Sequence, residues 1–91
     1  MWELPKYIRG RISFSVEEME LLIEFICCSV SSIRMADRFI QSRLTCYEVL
    51  YRNNTINDFE IEDWKDWMDV NEYFTTHKLS FERQYFKKTI W

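Results

Sequence analysis

Apolar side chains recur every three or four positions along most of the chain, a spacing that is typical of amphipathic α-helices. The longest series starts at Val16 and ends at Tyr51. Its members are Val16, Met19, Leu22, Ile23, Ile26, Val30, Ile33, Ala36, Phe39, Ile40, Leu44, Tyr47, Leu50 and Tyr51. A second series lies between residues 59 and 74, and a shorter one follows residue 80. The pattern predicts an all-α protein.

The first predicted helix has a clear beginning. Ser15 is followed three residues later by Glu18, the spacing of a capping box. The helix should end between Cys27 and Ser32, where three serines compete for backbone hydrogen bonds. Apolar positions cover almost the whole circumference of this helix. More than one of its faces must therefore be buried, by the C-terminal segment or by a second subunit.

The central stretch, residues 32–53, contains two short apolar runs. They consist of Ile33, Ala36 and Phe39, and then of Cys46, Val49 and Leu50. Ser42 lies between them and can cap the second run by accepting a hydrogen bond from a backbone N–H. The pattern predicts a helix over residues 32–39, a tight break at residues 40–42 and a second helix over residues 43–53.

This arrangement resembles the helix-turn-helix of resolvase-like and homeodomain-like DNA-binding domains. In that family an Ala, a large apolar residue, a Ser, an Arg, a Thr and a Tyr recur at fixed offsets among apolar positions. The corresponding residues are Ala36, Phe39, Ser42, Arg43, Thr45, Cys46, Tyr47, Val49 and Leu50. The match covers at most residues 16–52. It implies a three-helix core over residues 15–53 whose third helix reads double-stranded DNA.

The resemblance also implies which side chains contact DNA. With Cys46, Val49 and Leu50 turned inward, helical geometry turns Arg43, Leu44, Tyr47, Glu48 and Tyr51 outward. Arg43 can bind guanine, Glu48 can accept from cytosine, and Thr45 and Tyr47 can reach bases or phosphates. Arginines on the flanks would hold phosphates. The predicted DNA-binding residues are Arg34, Arg38, Arg43, Thr45, Tyr47, Glu48, Tyr51 and Arg52.

A different interpretation of the same stretch stays open. The family usually has Gly directly after the large apolar residue, because the turn needs a positive φ, whereas this chain has the β-branched Ile40. The apolar series also fits one long helix or a plain helical hairpin. The charged residues would then be ordinary solvated ones, with Arg38 able to pair with Asp37 or Glu48.

Residues 58–91 are predicted to add two helices to the core. Residues 53–58 are rich in Asn and Asp and form a break, in which Asn57 or Asp58 can cap the next helix. An acidic amphipathic helix then covers residues 59–74, and residues 75–78 form a loop. Ser80 caps a last helix over residues 81–89.

The acidic helix is rich in aromatic residues, which have two interpretations. Trp64, Trp67, Tyr73 and Phe74 can form a partner-binding surface, either between two copies of the chain or toward another protein. Alternatively, Trp64, Trp67, Phe74 and Phe86 close the core over the first helix, because a small domain needs large side chains to bury enough area.

Composition and charge are consistent with one small helical domain. The 91 residues include seven Phe, five Tyr and four Trp but one Gly and one Pro, which argues against a turn-rich β-fold. Residues 1–54 carry seven acids and seven bases, and residues 55–91 carry eight acids and five bases, so the net charge of −3 arises in the second half. A neutral first half can present a basic face when its acids gather on one helix.

Residues 1–14 are predicted to form a basic and aromatic arm. Pro5 blocks an early helix and Gly10 interrupts the run. The arm can lie along a phosphate backbone or in a minor groove through its basic residues, Lys6, Arg9 and Arg11. It can equally pack on the core through Trp2, Leu4 and Tyr7.

Nothing in the sequence favours an enzyme. His77 has no Cys or carboxylate neighbour at ligand spacing, so no metal ligand is expected there. Asp63 and Asp66 are not accompanied by a glycine loop, a nucleophile elbow or a basic phosphate cradle. We expect no catalysis, no cofactor and no small-molecule substrate.

The three cysteines and the apolar runs bear on the cellular location. Cys27, Cys28 and Cys46 form neither a disulfide framework nor a zinc spacing, and reduced thiols suit the cytoplasm or the nucleus. No apolar run approaches the roughly 18 residues of a membrane span. The N-terminus lacks a signal-peptide pattern, so we do not expect secretion.

Two functions follow from these observations. The first is a small regulator that binds a specific double-stranded DNA site through a recognition helix at residues 43–53, as a monomer or a homodimer. The second is an all-helical interaction module, such as a small viral or phage inhibitor, that docks its acidic aromatic C-terminal face on a host protein.

Overall fold

The computed structural model describes residues 14–86, which form four α-helices. They are α1 (Val16–Ser29), α2 (Ile33–Arg52), α3 (Asp58–Thr76) and α4 (Lys78–Tyr85). This range contains no β-strand, which confirms the all-α prediction. Apart from Phe14, the predicted arm lies outside the described residues, as does the end of the predicted last helix beyond residue 86.

Capping boxes begin α1 and α3. Ser15 Oγ accepts from the backbone N–H of Glu18 at 3.1 Å, and Glu18 Oε1 accepts from the N–H of Ser15 at 2.9 Å. Asn57 and Glu60 make the same pair of bonds at 2.7 and 3.1 Å. The predicted cap at Ser15 is confirmed, and of the two candidates before α3, the cap is Asn57.

α2 runs without interruption from Ile33 to Arg52, so the predicted break at residues 40–42 is wrong. Ser32 caps this helix by accepting from the N–H of Met35 at 3.2 Å. Ser42, the predicted cap of a separate helix, lies exposed in its interior. Ile40 explains the continuity, because its β-branched side chain disfavours a positive φ and is completely buried in the core. The continuous helix agrees with the alternative interpretation of this stretch, in which no turn interrupts the helix at residues 40–42.

The chain turns instead at Asn54, after α2. Asn54 has a φ of 58° and donates its N–H to the carbonyl of Tyr51 at 3.1 Å. The N–H of Thr55 donates to the carbonyl of Leu50 at 2.9 Å, which completes a Schellman motif. Asn tolerates this left-handed conformation better than most residues other than Gly. The predicted polar break at residues 53–58 is therefore present.

One hydrophobic core lies where the four helices meet, and α2 packs most extensively on α3. Ile23, Ala36, Ile40, Val70 and Phe74 are completely buried there. Trp67 is almost completely buried, and Trp64 and Phe86 are half-buried against the core. The interpretation in which these aromatic residues close the core is confirmed.

The junction between α3 and α4 is shorter than predicted. Only His77 separates the two helices, and Ser80 lies inside α4 instead of capping it. Phe81 anchors α4 by stacking on Phe74, with ring centroids 5.9 Å apart and planes 11° apart. Among the described residues, no helix is both long and apolar enough to span a membrane.

Candidate interaction surfaces

Tyr47, which the sequence pattern assigns to DNA, faces the core between α2 and α3. It is 9% exposed, and its hydroxyl donates a hydrogen bond to the carboxylate of Asp63. Burial raises the pKa of Tyr47 well above its ordinary value of 10.0, and the hydrogen bond to Asp63 raises it further. The ring is therefore held inside the protein, and the prediction that Tyr47 contacts bases is wrong.

The continuity of α2 also changes which of its faces is buried. Cys46 and Val49, predicted to face inward, are exposed, and Phe39 is largely exposed as well. In an unbroken helix the buried stripe that contains Ala36 and Ile40 continues to Leu44, one turn after Ile40, and to Tyr47, two turns after it. The residues predicted to face the core and those predicted to face DNA were assigned for a separate helix over residues 43–53. That separate helix does not form.

Several other predicted DNA contacts are occupied within the chain. The guanidinium of Arg43 lies over the rings of Trp67 and Tyr47, 5.3 and 5.9 Å from their centroids. Arg52 and Glu48 form an exposed ion pair at 2.7 Å. The ring of Tyr51 contacts that of Trp64, with centroids 5.6 Å apart.

Four of the predicted residues nevertheless share one exposed side of α2. Arg34, Arg38, Thr45 and Arg52 follow one another at intervals of four, seven and seven residues, which places them in one line along a helix. We call them the arginine ridge; it is about 27 Å long at 1.5 Å per residue. The described residues supply no ion-pair partner to Arg34 or Arg38.

Two of the four aromatic residues of α3 that were predicted to bind a partner lie in the core. Trp67 and Phe74 are buried in the core and cannot reach a partner, so their assignment is wrong. Trp64 is half-buried against the core, and the hydroxyl of the half-buried Tyr73 donates to Glu20 Oε2 at 2.5 Å. This hydrogen bond is the main reason that the pKa of Tyr73 is raised. Aromatic side chains of α3 thus hold the helices together.

Two large apolar side chains of α1 are strongly exposed beside a groove. Leu21 is 66% exposed and Phe25 is 69% exposed, and they lie one turn apart on the side opposite the buried Met19, Ile23 and Ile26. Together with Phe14 and Leu22 they line a groove of about 410 Å³, which Glu18 borders. We call Phe14, Leu21, Leu22 and Phe25 the apolar strip.

A second groove lies on the other side of Leu21 and is rich in carboxylates. Glu17, Glu20 and Glu24 from α1 face Phe81, Gln84 and Tyr85 from α4, around a volume of about 440 Å³. We call it the acidic groove. α1 contains no Lys or Arg. Burial raises the pKa of Tyr85, and the charge of Glu24 raises it further, as expected beside a negative surface.

The sequence contained one signal for the exposed apolar face of α1. The apolar residues of α1 cover more of the helix than one core contact can bury, which predicted a second covered face. In the structure α2, α3 and α4 pack against α1, but Leu21 and Phe25 stay exposed. Neither residue is among the candidates that the sequence pattern indicated, because periodicity alone does not say which face meets the core.

The potential metal ligands of the described residues do not cluster. No three of their His, Cys, Asp and Glu side chains are grouped so that they could hold a metal ion. The thiol of Cys27 is buried, and burial raises its pKa to about 11, so it is protonated and weakly nucleophilic near neutral pH. Cys28 and Cys46 are exposed free thiols.

Comparisons with protein-family models, with curated proteins and with solved structures find no match to this chain.

Proposed function

We propose that this protein is a helical protein–protein interaction module that binds its partner through the apolar strip on α1. The exposure of Leu21 and Phe25, two large apolar side chains one turn apart, is the observation that carries this proposal. Burying such a side chain is worth about 1.5–3 kcal/mol, so a partner that covers both gains a substantial contribution. Contiguous apolar patches with polar borders are typical of protein-binding surfaces.

The location differs from the interaction face that the sequence suggested. Trp67 and Phe74 of α3 lie in the core, whereas α1 has an exposed outer face. Ile23 and Ile26 pack into the core from the opposite side of α1 and hold the helix in place. A surface held in one conformation loses little conformational entropy on binding, which favours affinity.

Site-specific photo-crosslinking tests the proposal in the cells that produce the protein. The crosslinking amino acid p-benzoylphenylalanine replaces Leu21 or Phe25 in the full chain, and Leu79 in the control. Leu79 is 70% exposed but lies on α4, outside the apolar strip. We expect the same crosslinked partner from positions 21 and 25, and not from position 79.

A second pair of variants shows whether the crosslink depends on the strip. With the crosslinker at position 25, Leu21→Asp should remove the adduct and Leu79→Asp should preserve it, provided that circular dichroism shows both variants folded. The proposal is rejected if positions 21 and 25 give no adduct, or if all three positions give the same one.

Nucleic-acid binding is a second candidate function, and the arginine ridge is the observation that favours it. Arg34 and Arg38 can contact phosphates from one side of α2, although an unbroken helix offers no separate recognition helix to a groove. Duplex binding measured by fluorescence anisotropy should then weaken with salt, by about 0.9 in the log–log slope for each phosphate contact. Arg34→Ala with Arg38→Ala should lower this slope, whereas Arg83→Ala on α4 should not. Absence of duplex binding at low salt rejects this candidate.

A further inference from the structure

The apolar strip and the acidic groove lie side by side and share Leu21. The strip presents apolar side chains on one flank of the exposed face of α1, and Glu17, Glu20 and Glu24 occupy the other flank. A ligand that covers both flanks meets apolar contacts and negative charges in parallel rows along one helix. A ligand of this surface therefore needs an apolar side and a positively charged side, arranged in parallel.

The chemistry of this surface matches an amphipathic helix with a basic side. Within the described range the protein has no strand and thus no sheet edge to which an extended peptide could be added. Helical proteins instead accept an amphipathic helix in a groove, with apolar anchors at positions i, i+3 or i+4, and i+7. Lys or Arg next to those anchors would face the glutamates of α1.

A second copy of the chain matches the surface less well. In a symmetric dimer the same patch faces itself, so two α1 helices would meet. Each contributes four glutamates and no base, and like charges brought together oppose association. Charge complementarity thus favours a basic partner over a second copy.

We infer that the exposed face of α1 binds a basic amphipathic helix of a partner protein, with its apolar side on Leu21 and Phe25 and its Lys or Arg side in the acidic groove. This inference rests on the proposed function and adds the chemistry of the partner. The complementary charges contribute chiefly to specificity and to the rate of association, and the apolar contacts contribute most of the affinity.

Two designed peptides test this inference against the 91-residue chain. Both are fluorescein-labelled helices of about 18 residues, or five turns, with the same Leu positions on one side. One carries Lys and Arg on the polar side and the other carries Glu. At about 0.1 M salt we expect the basic peptide to bind at least tenfold more tightly than the acidic one, as measured by fluorescence anisotropy. The difference should be smaller at about 1 M salt, because the Debye length falls from about 10 to about 3 Å.

Variants of the protein locate the binding. Glu17→Lys with Glu24→Lys should reverse the preference toward the acidic peptide, while Glu20 is retained because it accepts a hydrogen bond from Tyr73. Leu21→Asp should abolish binding of both peptides, and Leu79→Asp should change neither. Circular dichroism checks that each variant is folded.

The outcomes separate this inference from the proposed function. Equal affinity for the two peptides, or a preference that the charge reversal leaves unchanged, overturns the basic partner even if crosslinking at positions 21 and 25 succeeds. Light scattering shows whether the protein self-associates. Self-association that Leu21→Asp removes would identify a second copy as the occupant, and this result also overturns the basic partner. A basic preference that depends on Leu21 and is reversed by the charge substitutions supports the inference.

Discussion

The hydroxyl of Tyr47 in α2 donates a hydrogen bond to the carboxylate of Asp63 in α3. The two residues are 16 positions apart in the chain, and their contact lies at the interface of the most extensively packed pair of helices. The guanidinium of Arg43 covers the ring of Tyr47 from the solvent side of the interface and also lies over Trp67. This polar contact joins α2 to α3 beside the core.

Tyr47→Phe should destabilise the protein by about 0.5–1.5 kcal/mol, because it removes a partly buried hydrogen bond while keeping the ring. Urea unfolding followed by circular dichroism measures this change. Tyr51→Phe is the matched control, since Tyr51 is exposed and contacts Trp64 through its ring. Equal losses in the two variants would show that the bond to Asp63 contributes no net stability.

The folded protein should lose stability in alkaline solution. Folding raises the pKa of Tyr47 above 10.0 and that of Cys27 from 9.0 to about 11, so the native state favours the protonated form of both groups. Their contribution to stability is complete below the unfolded-state pKa values and is lost as the pH rises through the folded ones.

Denaturant unfolding at a series of pH values from neutral to above 11 checks this expectation. The free energy of unfolding should begin to fall near pH 9 for the Cys27 contribution and above pH 10 for that of Tyr47. Cys27→Ala should reduce the fall in the free energy of unfolding that begins near pH 9, and Tyr47→Phe should reduce the fall above pH 10. A wild-type stability that stays constant up to pH 11 would contradict the buried placement of both groups.

Two phenylalanines should respond very differently to truncation. Phe74 is completely buried, and Phe74→Ala should cost about 3–5 kcal/mol, because it leaves a cavity next to Phe81. Phe25→Ala should change the stability by at most about 0.5 kcal/mol, since this side chain is exposed. Thermal and urea unfolding of the two variants measure the difference. A large loss for Phe25→Ala would mean that the outer face of α1 is covered within the chain.

Serine substitutions test the continuity of α2. Ser32 caps the helix, so Ser32→Ala should cost about 0.5–2 kcal/mol. Ser42 lies exposed inside the helix, where Ala has the higher helix propensity, so Ser42→Ala should be neutral or slightly stabilising. Urea unfolding compares both variants with the wild type. If Ser42→Ala were as destabilising as the loss of a cap, a second helix would begin at that residue.

Contacts made within a few residues were predicted only in part, because Ser42 and Ser80 do not form the caps expected of them. The capping box at Ser15, a cap at Asn57 or Asp58 and the polar break after Arg52 were predicted. The contacts that form there are hydrogen bonds between residues three to five apart. Such contacts can be found from spacing and residue type alone. Spacing and residue type did not indicate the apolar strip, because the exposure of a side chain depends on which neighbouring helices cover it.

By itself, the sequence determined that this chain is helical, where three of its helices begin or end, and that α1 has more apolar surface than one face can bury. Only the tertiary structure decided that α2 continues through Ile40, that Tyr47 turns inward and that Trp67 and Phe74 belong to the core. At these positions α2 packs against α3, and Gln41 Nε2 donates a hydrogen bond to Asn71 Oδ1 at 2.8 Å across 30 residues of chain. A period of 3.6 residues shows which positions share a face, but the packing of distant helices selects the face that is buried.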